Sequence, residues 1–148
     1  RLTGGPERGA IAAEAENFAG VLDIMMLCKF IRNCFTDLWS EVPALYTYVT
    51  GIAFTKEDVK AVAERSWNLK KAFNIREGWT KADDWLPGRW LKDPMPSGGS
   101  KGAYVKEDQL RTMIDAYYEA RGWTKEGLIP KEKLNALGLD DIAKEIGA

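Results

Sequence analysis

A long run of helical periodicity between Lys56 and Glu77 is the feature that most constrains how this chain can fold. Thr55, followed three positions later by Asp58, resembles a capping box, which marks a helix start, and Gly78 marks the end. The positions expected to form the buried face of this helix are Val59, Val62, Ser66, Leu69 and Phe73. We therefore predict one helix over 56–77 at the centre of the fold.

Other segments carry weaker helical patterns. They predict a short helix over 10–19, a mostly buried helix from Asp23 to about Trp39, and a further helix that has Pro43 in its first turn and ends at Gly51. Later apolar positions predict a helix that Gly122 ends, a short helix over 130–138 and a last turn over 140–146. No alternating strand pattern of useful length is present, so the predicted fold class is all-α, an irregular helical bundle.

The helical pattern is lost between Gly78 and Val105, where prolines and glycines are frequent. The aromatic residues of this stretch are Trp79, Trp85, Trp90 and Tyr104. Because large rings are costly to leave in water, we expect 78–105 to be a long loop packed on the helices, with its tryptophans buried. We also expect Arg76, Asp84 and Arg89 to tie the end of the long helix to this loop.

Charge and hydropathy exclude two classes of partner. The 21 basic and 22 acidic residues leave a net charge of -1, which does not favour nucleic acid or an anionic membrane surface. The longest apolar stretch, 21–30, is interrupted by Asp23 and Lys29, and it is far shorter than the roughly 20 residues of a membrane span.

The residues available for chemistry are few. Histidine is absent, which excludes His-dependent triads and His-containing zinc or haem sites. The two cysteines, Cys28 and Cys34, would lie about 9 Å apart along one α-helix, too far for an easy disulfide. Reduced thiols and a cytoplasmic location are therefore expected. The glycine-rich run 97–102 lacks the spacing of a phosphate loop, and the adjacent Asp83 and Asp84 have no convergent catalytic partner.

One constellation has functional potential, the segment Asp23-Ile24-Met25-Met26-Leu27-Cys28-Lys29-Phe30. Together with later blocks, it resembles the C-terminal domain of the tungsten-containing aldehyde ferredoxin oxidoreductase family. The blocks that carry this resemblance, in chain order, are Glu16-Asn17, the 23–30 segment, Tyr48-Val49-Thr50-Gly51, 64–78, Asp84-x-Leu86-Pro87-x-Arg89, Tyr117-Tyr118-x-x-Arg121-Gly122-Trp123 and Lys133-Leu134-x-x-Leu137-Gly138-Leu139.

The resemblance implies a redox enzyme that binds tungsten, or sometimes molybdenum, through two pterins, with a 4Fe-4S cluster close by. Such enzymes oxidise aldehydes to carboxylates and pass the electrons to ferredoxin. The family's Asp-x-x-Gly-Leu-Cys segment would place Asp23 and Leu27 at a pterin and Cys28 on the cluster. A carboxylate can accept paired N–H donors from a pterin edge, and a thiolate is the ordinary iron ligand of such clusters.

Two departures from the family pattern matter. Met26 stands where the family motif has glycine, and a side chain there could prevent a left-handed backbone or crowd the pterin. The other cluster cysteines and the groups near the metal belong upstream of this chain. We therefore expect 1–148 to be a C-terminal helical domain of a longer protein, with 1–15 poorly matched. On its own it should be inactive and hold no cofactor, and no residue is assigned a catalytic role.

Two alternatives remain open. One is the related tungsten subunit of aromatic-ring reducing complexes. The other is a helical interaction module that has lost the cofactors, a reading that Met26 favours. The partners implied by the leading interpretation are the upstream domains of the same protein, ferredoxin and an aldehyde.

Overall fold

The computed structural model describes residues 4–148; residues 1–3, part of the N-terminal segment 1–15, lie outside the described residues. Regular structure in the described range is helical, which confirms the all-α prediction. The elements are α1 (Glu7–Ile24), a 3₁₀-helix (Lys29–Cys34), α2 (Leu38–Thr50), α3 (Lys56–Arg76), α4 (Gly88–Lys92), α5 (Glu107–Arg121), α6 (Lys131–Ala136) and α7 (Asp140–Glu145). None of the described helices is long and apolar enough to cross a membrane.

The long helix α3 has the start that its sequence predicts. The Thr55 hydroxyl accepts a hydrogen bond from the Asp58 N–H at 3.1 Å, and the Asp58 carboxylate accepts one from the Thr55 N–H at 2.9 Å. This capping box satisfies N–H groups that the first helical turn leaves unpaired. Two other predicted helix ends are also confirmed, since Gly51 and Gly122 take the left-handed conformation directly after α2 and α5.

The predicted buried helix from Asp23 to Trp39 is wrong. The helix α1 runs on to Ile24, a turn follows, and a 3₁₀-helix separates α1 from α2. As a result Met26 and Phe30, expected to be buried, have exposures of 92% and 87%. Pro43 lies in the interior of α2 rather than in its first turn, because the Asp37 side chain caps the helix earlier, accepting the Trp39 N–H at 3.2 Å.

Two apolar clusters lie at opposite ends of α3. The first joins the end of α1 to α2 and the start of α3, and the second joins the end of α3 to α6 and α7. The buried members of the first are Val21, Leu22, Leu38, Val42, Val59 and Ala63. Those of the second are Ala72, Ile129, Leu134, Leu139 and Ala143. The helix α3 therefore connects both halves of the core.

Between these clusters the core is polar, and Arg121 is at its centre with an exposure of 0%. Its guanidinium donates to Glu16 at 2.6 Å, to Glu64 at 2.8 Å and to Asn17 at 2.7 Å. It also donates to the Ala13 carbonyl at 3.1 Å and the Tyr117 hydroxyl at 3.3 Å. These bonds use all five guanidinium N–H groups and connect α1, α3 and α5. We call Arg121 and these partners the Arg121 network.

This network explains why the predicted buried face of α3 is partly wrong. Leu69 and Phe73 are exposed, whereas Asn68 and Lys71 are buried. The Asn68 side chain accepts the Trp123 indole N–H at 2.9 Å and donates to the Glu64 carbonyl at 2.8 Å. In the described part of the chain, every buried side-chain nitrogen and oxygen has a hydrogen-bond partner. The polar groups buried in the middle of α3 therefore carry no penalty for an unpaired donor or acceptor.

The segment 78–105 contains the short helix α4, whose Leu91 is buried. Trp85 is partly buried, but Trp90 has an exposure of 57% and Trp79 of 43%. The expectation that its tryptophans are buried is therefore wrong for Trp79 and Trp90. A hydrogen bond holds the exposed Trp79 ring, because its indole N–H donates to the Asp84 carboxylate at 2.7 Å.

Asp84 ties this segment to the helices, as predicted. Its carboxylate pairs with Lys71 of α3 at 2.7 Å and accepts the Tyr118 hydroxyl of α5 at 2.5 Å. The prediction fails for the two arginines. Arg76 instead links α3 to α7 through Glu145 at 2.9 Å, and Arg89 is exposed. A carboxylate among three donors can anchor an irregular segment without further charges.

Replacing Asp84 by asparagine is expected to lower the free energy of unfolding by about 2 kcal/mol at pH 7, because it leaves the buried Lys71 ammonium without a counter-charge. Burial would raise the pKa of Asp84, but hydrogen bonds from Lys71, Tyr118 and Trp79 outweigh burial and lower it. The stabilisation is therefore present above the unfolded pKa of about 3.9 and is lost as pH falls through the lower folded pKa.

Urea unfolding at several pH values measures this effect. The difference between the wild type and Asp84→Asn should shrink below about pH 4. Asp93→Asn, which changes an exposed carboxylate of the same segment, is the control and should show little change. A difference that stays constant down to pH 2 would contradict the role given to the Asp84 charge.

Candidate functional site

The candidate site is the turn that ends α1. The Leu27 N–H donates to the Leu22 carbonyl at 2.8 Å, and the Met26 N–H donates to the Asp23 carbonyl at 3.1 Å. This pair of bonds is the Schellman arrangement, in which the residue after the helix takes a left-handed conformation. The 3₁₀-helix that follows the turn contacts α1.

Met26 occupies the left-handed position, with a φ of 54°. Glycine normally fills this position, since a Cβ there costs about 1–2 kcal/mol. The expectation that a side chain could prevent the left-handed backbone is therefore wrong. The Met26 side chain points into solvent, and the backbone adopts the conformation that a glycine would take.

Replacing Met26 by glycine is expected to raise the free energy of unfolding by about 1 kcal/mol, because glycine relieves the left-handed strain. Met26→Ala is the matched control, since alanine removes the exposed thioether but keeps the Cβ. Thermal melting should show a higher Tm for the glycine variant alone. Equal melting temperatures for all three proteins would show that the turn stores no strain at Met26.

The three predicted site residues surround this turn. Asp23 is exposed in the last turn of α1, and Cys28 is exposed as the residue that precedes the 3₁₀-helix. Leu27 is partly buried and packs against the first apolar cluster. The contact of Leu27 with Leu22 and with the other residues of this cluster holds the turn against the core. The Asp23 carboxylate and the Cys28 sulfur remain accessible to solvent.

Cys34 is the last residue of the same 3₁₀-helix and is also exposed. At about 2.0 Å of rise per residue, six positions separate the two cysteines by about 12 Å along the axis. Both thiols are free. Cys34 therefore serves as a natural comparison for Cys28, because it has the same chemistry, similar exposure and a different position.

The described part of the chain contains no candidate metal site of its own. Among residues 4–148, no three side chains of cysteine, aspartate, glutamate or histidine are grouped so that they could hold a metal ion.

Large apolar side chains are exposed on and near the same turn. Met26 and Phe30 are the most exposed of them. A second row lies along the end of α2 and just beyond it, made of Leu45, Tyr48, Val49 and Ile52, which follow one another at helical spacing. Exposed apolar surface of this kind is typical of interaction sites.

The Arg121 network was not found by sequence reasoning. The spacing of Tyr117 and Arg121, four positions apart on α5, was a usable signal, because such residues share a helix face. Their partners Glu16 and Glu64 come from distant segments, and no local pattern pairs them with Arg121. The rings of Tyr117 and Tyr118 pack against that of Trp123, with centroids 5.5 Å apart for Tyr117–Trp123 and 5.9 Å apart for Tyr118–Trp123.

Comparison with known proteins agrees with this architecture. The family model for domains 2 and 3 of aldehyde ferredoxin oxidoreductase matches residues 1–139, and the chain therefore belongs to the aldehyde ferredoxin oxidoreductase family. This confirms the resemblance drawn from the sequence blocks.

Two curated relatives are tungsten-containing aldehyde ferredoxin oxidoreductases. That of Pyrococcus furiosus is 48% identical over 128 residues, covering 86% of this chain and 20% of the relative. That of Thermococcus kodakarensis is 43% identical over 128 residues with the same coverage of 86% and 20%. The chain spans about a fifth of the length of these relatives.

A solved structure is also similar, the active site complex BamBC of benzoyl coenzyme A reductase in complex with 1,5-dienoyl-CoA. The TM-score is 0.58 and the identity 27%, and the match covers 72% of this chain and 15% of that chain. The helical arrangement is therefore shared by proteins of different named activities.

Proposed function

We propose that this chain is a domain of a tungsten or molybdenum pterin enzyme that oxidises aldehydes to carboxylates with ferredoxin as electron acceptor. The observation that carries the proposal is the 48% identity to the Pyrococcus furiosus oxidoreductase over 86% of the chain. In this proposal the turn at the end of α1 forms one side of the cofactor cavity, and the protein works in the cytoplasm.

The donor set of the turn fits this role. Asp23 presents an exposed carboxylate, which can accept the paired N–H groups of a pterin edge. The Leu27 N–H is already bonded to the Leu22 carbonyl, so Leu27 would meet a pterin through its own carbonyl oxygen. Cys28 presents one accessible thiol, which would supply a single ligand to a 4Fe-4S cluster.

When bound, the metal pterin would supply the redox chemistry of aldehyde oxidation, and the cluster would carry electrons to ferredoxin. The protein's contribution is placement. The Schellman turn connects Asp23 to Cys28, and Leu27 packs the turn against the first apolar cluster. Two ligands on a fixed turn keep neighbouring cofactors at a constant separation.

The exposed apolar side chains suit the same proposal. Met26 lies within the segment that carries the proposed ligands, Phe30 lies two residues after it, and the row at the end of α2 belongs to a separate exposed segment. We propose that upstream domains of the same protein cover this surface and supply the remaining cluster ligands. Met26 does not prevent the left-handed turn, and this favours a cofactor-holding domain over the cofactor-free module.

A second candidate function is a tungsten subunit of an aromatic-ring reducing complex. The similarity to the benzoyl coenzyme A reductase complex favours it. The two functions share a cofactor and differ in the direction and potential of electron flow, so an assay of the complete protein separates them.

The test uses the complete protein that carries this domain, purified without oxygen. We expect aldehyde-dependent reduction of ferredoxin and no reduction of benzoyl-CoA by a low-potential donor. The 148-residue chain alone is the control and should be inactive. Ring reduction without aldehyde oxidation would establish the second candidate, and a complete protein that contains neither tungsten nor molybdenum would overturn both.

A further inference from the structure

A cavity of about 540 Å³ lies between the first half of α1, the middle of α3 and α5. Its size is that of ordinary small-molecule sites, which span about 300–1,000 Å³. The residues of the proposed cofactor turn, 23–28, do not line it. The cavity is therefore separate from the site described above, and its ligand need not involve a pterin or an iron cluster.

The cavity wall has an apolar side. Leu110, Met113 and Ile114 of α5 line it together with Ala12 of α1 and the Trp67 ring of α3. Such a lining favours a ligand with an aliphatic or aromatic body, because removing apolar surface from water is favourable.

The wall of the cavity contains more cations than its carboxylates can pair with. Two carboxylates reach the cavity, and both are paired: Glu16 is 2.6 Å from Arg121, which it shares with Glu64, and Asp84 is 2.7 Å from Lys71. The two remaining cations are Lys70 and Arg8. Arg8 has only a loose contact with Glu7 at 3.7 Å, and no carboxylate of residues 4–148 forms an ion pair with Lys70. The cavity therefore has an excess of positive charge.

Lys70 and Trp67 lie side by side at this site. The Lys70 ammonium lies 4.3 Å from the centre of the Trp67 ring, a cation–π geometry. The ring is held in place because its indole N–H donates to the Glu16 carbonyl at 2.8 Å. An aromatic surface beside an ammonium group matches a molecule that carries an apolar body and one negative charge.

We propose that this cavity binds a small organic anion with an apolar body. The anionic group lies against Lys70, and the body lies between Trp67 and the apolar side chains of α5. A carboxylate is the simplest member of this class. The site binds and performs no chemical step.

The test is a titration of the 148-residue chain with 4-phenylbutyrate, followed by the indole N–H signals in ¹H–¹⁵N NMR spectra. We expect a saturable shift of the Trp67 signal. Lys70→Gln should weaken binding about tenfold, the loss that follows from removing one charged contact. Lys60→Gln is the matched control, because Lys60 lies 5.8 Å from the Trp39 ring, away from the cavity.

A second measurement keeps the test independent of the variants. The uncharged analogue 4-phenylbutyramide should bind the wild type about tenfold more weakly than the acid. The proposal is overturned if the Trp67 signal does not saturate, if acid and amide bind equally, or if Lys60→Gln weakens binding as much as Lys70→Gln. Because the cofactor turn is not involved, failure here leaves the proposed oxidoreductase function unaffected.

Discussion

Replacing Arg121 by methionine is expected to lower the free energy of unfolding by about 3–5 kcal/mol, a large share of the stability of a domain this size. Arg121 is fully buried, and its side chain pairs with Glu16 at 2.6 Å and with Glu64 at 2.8 Å. Methionine fills similar space but leaves both carboxylates beside α5 without their main counter-charge. Urea unfolding followed by circular dichroism measures the change.

The matched control is Arg111→Met, on the same helix. Arg111 is exposed and stacks on Trp85 at 5.5 Å, so its loss should cost less than about 1 kcal/mol. Arg121→Lys should be intermediate, since an ammonium has three donors and cannot span five acceptors. An Arg121→Met protein as stable as Arg111→Met would show that the network does not hold the three helices together.

The network should also make stability depend on pH. Burial raises the pKa of Glu64, but contacts with Asn17, Lys133 and Arg121 outweigh burial and lower it. A lowered folded pKa means that the stabilisation is present above the ordinary glutamate pKa of about 4.3 and is lost on acidification below it.

Helix ends with a local chemical signal could be predicted from the sequence. The start of α3 depends on Thr55 and Asp58, and the ends of α2 and α5 depend on Gly51 and Gly122. In each case a few neighbouring residues determine the conformation, so tertiary contacts are not needed to recognise it.

The end of α1, in contrast, could not be predicted from the neighbouring residues. Met26 is a good helix former, so the sequence predicts a helix that starts at Asp23 and runs through this position to about Trp39. The turn forms because Leu27 packs against the first apolar cluster, a contact between segments that are distant in sequence. A glycine at this position would have made the turn predictable.

The buried face of α3 could not be predicted from apolar periodicity. In its middle, α3 buries Asn68 and Lys71 and exposes Leu69. Polar residues are buried there because their partners, Trp123 and Asp84, come from after α5 and from the segment 78–105. Pairing across that distance depends on the tertiary fold.

The residues of the candidate site were identified through a family motif, and the structure adds their setting. The motif selected Asp23, Leu27 and Cys28, while the structure shows two exposed groups around a turn fixed by the third. No sequence motif marks the cavity proposed to bind an organic anion, because its wall combines residues of α1, α3 and α5.

We propose that Cys28 ligates an iron-sulfur cluster in the complete protein that carries this domain. The most direct test compares Cys28→Ala with Cys34→Ala in that protein, by iron content and by electron paramagnetic resonance of the reduced cluster. Both thiols are exposed, so neither substitution should unfold the domain, which circular dichroism verifies. We expect the cluster signal to be lost or strongly altered in Cys28→Ala and unchanged in Cys34→Ala. A normal signal and full iron content in Cys28→Ala would contradict the claim.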